Sequence, residues 1–101
     1  RLEITNDIII GFELDKEDET ELMANFNNAK KQIEAAEDYL NDGEFKKAIN
    51  RAKTAINQFE ELLLKIDEKV EDGILSETVV SSLQYEINMM ISILKYDYNI
   101  T

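Results

Sequence analysis

Between residues 45 and 70, Phe45, Ile49, Ala52, Ile56, Phe59, Leu63, Ile66 and Val70 follow one another at alternating spacings of four and three. Side chains at that spacing fall on one stripe of an α-helix, whereas the two-residue period of a strand would scatter them over both faces. A 3.5-residue repeat sustained this long also favours neighbours packed nearly antiparallel, at about 20°. The spacing predicts a helix over about 44–71, with Lys46, Lys47, Asn50, Lys53, Asn57 and Glu61 turned away from the core.

The segment before it repeats the pattern. Leu22, Phe26, Ala29, Ile33, Ala36 and Leu40 predict a helix over about 16–41, and the acidic run from Asp15 to Glu21 lies where negative charge suits a helix N-terminus. Proline is absent and the three glycines are Gly11, Gly43 and Gly73. In "NDGEF" (41–45), Gly43 can end one helix in the left-handed conformation, and Asn41 or Asp42 can cap the next. In "EDGILSE" (71–77), Gly73 ends the second helix, Ile74 is expected to pack back on its last turn, Ser76 caps the third helix, and Leu75 staples to Val80. That third helix is expected over about 76–98, with Val80, Leu83, Ile87, Met90, Leu94 and Tyr98 on its inner stripe. Links this short force antiparallel neighbours. The expected fold is all-α: an up-down-up three-helix bundle of residues 16–101, with residues 1–15 as an N-terminal arm packed on it. Within the arm, Ile8, Ile10, Phe12 and Leu14 alternate as in a strand, while Ile8, Ile9 and Phe12 also fit a short helix, so extended and single-turn forms both stand.

The third helix is apolar on two sides. Tyr85, Met89, Ile93 and Tyr96 fall opposite the inner stripe, within about 80° of one another. Leaving such side chains in water forgoes about 1.5–3 kcal/mol apiece, and clustered exposure usually marks a contact. They form the candidate interface. One cover is internal, the arm folding back through Ile8, Ile10 and Phe12 together with Ile9. The other is external: a second copy, a neighbouring domain of the parent chain or a partner helix. The internal cover is the expectation here.

Composition narrows the function classes. The net charge of −11 argues against nucleic acid, whose phosphates need a basic face, and disfavours anionic lipid. The longest weakly charged run, residues 79–94, is too short to span a bilayer, so no membrane insertion is expected. Without His or Cys there is no imidazole base, no thiolate and no ordinary zinc set. Carboxylate pairs on amphipathic helices read as solvated faces, so no catalytic residue, metal site or cofactor is expected. Calcium-loop registers fail as well: with Gly43 or Gly73 at the sixth position, the third is Leu40 or Val70. "NIT" (99–101) is a glycosylation tripeptide. The absence of cysteine leaves the redox compartment unread. A start at Arg1 reads as a processed product or a domain of something longer.

Two resemblances attach to particular residues. Gly43, Phe45, Ala48, Ile49, Ala52, Ala55 and Ile56 resemble the second half of one tetratricopeptide repeat, without the repeat's period. The wider span from Leu22 to Ile91, through Leu40 to Gly43, "KKAIN", "INQFEELL" and "GILSETVVSSL", resembles the FIMAH domain, a helical module of bacterial and archaeal cell-surface proteins. That resemblance implies an extracellular or cell-surface accessory domain without catalysis. The expected function is therefore a non-catalytic interaction or spacer module of a larger surface or secreted protein, with protein as its partner. The alternative is a cytosolic adaptor or regulatory domain that docks a partner helix on the third helix.

Overall fold

The computed structural model describes residues 2–12 and 14–100. Four helices follow one another: α1 (Leu2–Gly11), α2 (Lys16–Asn41), α3 (Phe45–Glu71) and α4 (Glu77–Asp97). The protein is all-helical, and no strand occurs among the described residues.

Local chemistry sets the helix ends. Asp15 caps α2 by accepting a hydrogen bond from the Asp18 N–H at 2.9 Å, and Ser76 caps α4 by accepting from the Val79 N–H at 3.2 Å. At the end of α2, Gly43 and Glu44 donate to the carbonyls of Leu40 and Tyr39; at the end of α3, Gly73 and Ile74 donate to those of Val70 and Lys69. These paired bonds are Schellman caps, and they require left-handed backbone at the glycines, which sit at φ 77° and 78°. Residues Asn99 and Ile100 close α4 the same way on Tyr96 and Lys95, with Asn99 at φ 53°. Neither Asn41 nor Asp42 caps α3: its N-cap is Glu44, which makes no side-chain cap bond. Ile74 is exposed, whereas Leu75 and Val80 are both buried in the core.

Side-chain pairings give the helix directions. Lys69 meets Asp18 and Glu21, Gln58 and Glu61 meet Asn25, and Arg51 meets Gln32, so numbers rise on α2 as they fall on α3. Gln84 donates to Asp67 near the second turn, while Lys95 and Ile100 share a shallow cleft with Lys53 and Ile56, which makes α4 antiparallel to α3. No Cα of α2 comes within 8 Å of α4 among the described residues. Helix α1 lies in the trough between them and packs on both. Its Thr5 hydroxyl reaches the Met90 sulfur at 4.0 Å, and Glu3 stands near Leu94 and Tyr98. The leading segment is thus neither extended nor a single turn but a helix closing a four-membered ring.

Alanines decide how closely α2 and α3 approach. Ala29, Ala36, Ala48, Ala52 and Ala55 are all fully buried. Small side chains let two helix axes come near the lower end of their usual separation. The deepest seam of α3 is therefore Ala48, Ala52, Ala55, Phe59, Leu62, Ile66 and Lys69. It lies beside the row of larger side chains, of which Ile49, Leu63 and Val70 are only half-buried. Around Phe59 and Leu62 the core gathers Ile9, Leu22, Phe26, Leu83 and Ile87 from the other three helices. Toward the α2–α3 turn the alanine seam continues alone, and Leu40 and Phe45, both expected on inner stripes, are exposed there. The hairpin overhangs its neighbours and sets the long dimension of 45 Å.

Candidate functional site

Helix α1 approaches α4 from the inner side. Among its described side chains Thr5 and Ile9, spaced one turn apart, are buried; Ile8, and Phe12 just beyond the helix end, are partly buried on the core. Ile10, expected among the arm contacts, points outward and is 52% exposed. The partner of this face is the inner surface of α4 at Met90, not its outer surface.

The expected internal cover for the outer face of α4 is consequently absent. Tyr85, Ile93 and Tyr96 are exposed by 59%, 39% and 87%, and Met89 is half-buried. Val79, in the first turn, adds 48% exposure to the same helix. The cause is topological. A short helix can fill the gap between α2 and α4 or lie over the back of α4, but not both. Here it fills the gap, where Ile9 joins Leu22, Phe26, Ile87 and Met90 in one buried cluster. Burying Ile9 alone there contributes about 1.5–3 kcal/mol.

Helix α1 fills the trough only in part. Level with its first turn an open cleft of about 740 Å³ remains, bounded by α1, α2 and α4. Its floor is Met90 and Leu94, both buried; Ile33, Leu40, Ile93 and Tyr98 form the apolar walls. The rim carries Glu3, Glu37 and Asp97, one carboxylate from each of the three helices. The Tyr98 hydroxyl is held above its ordinary pKa, first by burial and then by the charges of Glu37 and Asp97.

At the other end of the molecule Lys69 occupies a seam position of α3 and is 5% exposed. Its ammonium donates to Asp18 at 2.8 Å and to Glu21 at 3.0 Å across the α2–α3 interface. Burial, the largest single influence, lowers the proton affinity of Lys69, but the hydrogen bonds and charges of the two carboxylates together outweigh it and hold the group above its ordinary pKa. Asp18 is held below its ordinary value, first by the hydrogen bond from Lys69. The trio joins two helices. Asn25 forms a second polar link, donating to Gln58 at 2.8 Å and Glu61 at 3.0 Å.

Sequence reasoning missed both Lys69 and the cleft. The signal for Lys69 was the alternate seam 48-52-55-59-62-66-69, whose last member lies level with the acidic start of an antiparallel neighbour. The cleft had no local signal, since its residues come from three helices. Among the described residues no group of three His, Cys, Asp or Glu side chains is placed to hold a metal ion, and no helix is long and apolar enough to cross a membrane. Thr101 of the "NIT" tripeptide lies outside the described residues. No known protein family, curated protein or solved structure matches the chain.

Proposed function

We propose that this chain is a non-catalytic helical interaction module whose partner is a protein seated on the outer face of α4. In this reading α2, α3 and α4 form the up-down-up unit and α1 stabilises it from the trough. The observation that carries it is the bare row of Tyr85, Ile93 and Tyr96, on a helix whose inner stripe is already buried. Tyrosines suit such a boundary, because each combines a large apolar ring with a hydroxyl that tolerates water. Between residues 79 and 99 the charged side chains are Glu86, Lys95 and Asp97, so a partner meets little desolvation cost there despite the net charge of −11. The resemblance of residues 22–91 to the FIMAH domain supports a place on a surface or secreted protein. A cytosolic adaptor docking a partner helix uses the same face.

A photo-crosslinking amino acid at Tyr85 or Tyr96, in the full-length protein within the cells that make it, tests the reading. A discrete protein adduct is expected from both positions and none from Asn57, which is exposed on α3. Equal yields at all three positions, or none, would contradict it.

A further inference from the structure

We infer that the protein seated on the outer face of α4 is a second copy of this chain, paired antiparallel about a two-fold axis between residues 90 and 91. The inference deepens the outer-face reading and rests on it, and its own test can fail alone.

Charge selects the occupant. Ser81, Ser82, Tyr85, Met89, Ser92 and Tyr96 fall within about 100° of one another on α4. None of the six is charged, in a chain where 33% of residues are. Glu86 and Lys95 stand on opposite edges of this row, about 90° from its centre. The solvent faces of the other long helices differ, with Lys31, Glu34 and Asp38 exposed on α2 and Lys53, Glu60 and Asp67 on α3. At net charge −11, two copies repel wherever their carboxylates face each other. Contact along the α4 row sets none of that helix's carboxylates against another.

Symmetry then sets the register. Tyr85 and Tyr96 are equidistant from the midpoint between residues 90 and 91, and so are Met89 and Ser92. In a two-fold interface, residue i meets residue j of the other copy and j meets i. The axis therefore places each Tyr85 ring opposite Tyr96 of the second copy, an aromatic pair made twice, and sets long Met89 against short Ser92 at the centre. The two Glu86 carboxylates end up about nine residues apart along the axis, roughly 13 Å, beyond the screening length of about 8 Å at physiological salt. The direction follows from α3, the antiparallel neighbour of α4. Residues 45–58 of α3 carry Lys46, Lys47, Arg51 and Lys53 without a carboxylate, while residues 59–77 carry seven carboxylates and two lysines. Antiparallel pairing brings the acidic end of one copy level with the cationic end of the other, whereas parallel pairing brings the two acidic ends together.

The overlap from Ser81 to Asn99 is about 27 Å of helix and buries on the order of 1,000 Å² over both copies, the lower end for a specific interface. The dimer is therefore weak, in the micromolar range. The chain holds no cysteine, so introduced ones report the register. Tyr85→Cys and Tyr96→Cys are oxidised separately and as an equal mixture. The mixture is expected to form disulfide-linked dimer at least about tenfold faster than either variant alone, because only unlike positions face each other. In sedimentation equilibrium, the wild type should rise toward twice the monomer mass between about 1 and 500 µM. Tyr85→Glu should weaken that association more than about tenfold, since it places a charge without a counter-ion in the contact. Equal crosslinking of each variant with itself would overturn the inference, as would a dimer indifferent to Tyr85→Glu. A wild type that stays monomeric would also overturn it, and crosslinks from Tyr85 and Tyr96 to a different protein would then keep the outer-face reading intact. Absence of any adduct at those positions in cells would overturn both.

Discussion

Lys69 sits where the repeat calls for an apolar residue, and Asp18 with Glu21 makes that position tenable. Its stem fills the seam as a long apolar side chain would, so truncation removes packing as well as charge. Lys69→Ala is expected to lower stability by about 2–3 kcal/mol, and Lys69→Met by about 1 or less, because methionine refills the space and both carboxylates can regain water. Urea denaturation followed by circular dichroism distinguishes the two. The acid side of the pH profile has a definite sign. The Asp18 carboxyl titrates lower in the folded chain than in the unfolded one. Its contribution is therefore complete above the ordinary carboxylate value, about 4, and disappears as the pH falls through the folded value. The stability gap between wild type and Asp18→Asn should be widest near neutrality and narrow as the pH falls below the ordinary carboxylate value. A gap independent of pH would show that Asp18 and Lys69 are not coupled.

At the scale of the element, Gly73 and Gly11 make a contrasting pair. Gly73 holds φ 78° in a Schellman cap, so Gly73→Ala should cost about 1–2 kcal/mol. Gly11 closes α1 with open space where a Cβ would stand, so Gly11→Ala should raise stability by about 0.5 kcal/mol. Thermal melts of both variants check the signs. The same glycines explain what was legible beforehand. The three long helices, expected at about 16–41, 44–71 and 76–98, occupy Lys16–Asn41, Phe45–Glu71 and Glu77–Asp97, because glycine turns and a serine cap are local signals. Helix α1 was not legible. Ten residues are too few to be helical unaided, and the run Ile8, Ile9, Ile10 fits a strand as well as a helix until a trough selects Ile9. The alanine seam of α3 is faint in the sequence for a related reason: large side chains dominate the periodicity, while small ones permit the closest approach.

For the whole molecule, the position of α1 decides which surface stays free. Ile9→Ala should destabilise by about 2–5 kcal/mol, whereas Ile10→Ala should change stability by less than about 0.5, since Ile9 is fully buried and Ile10 is half exposed. The candidate interface was thus legible as residues but not as a state. The sequence marks Tyr85, Met89, Ile93 and Tyr96 as a second apolar face, but whether the leading segment covers it depends on a competition between two surfaces that no local pattern encodes. The most direct test is hydroxyl-radical footprinting of the monomer at low concentration, read by mass spectrometry residue by residue. The account predicts rapid modification of Tyr85 and Tyr96 together with protection of Ile9 and Met90. Protected tyrosines in a molecule that is still monomeric, with Ile9 freely modified, would contradict it.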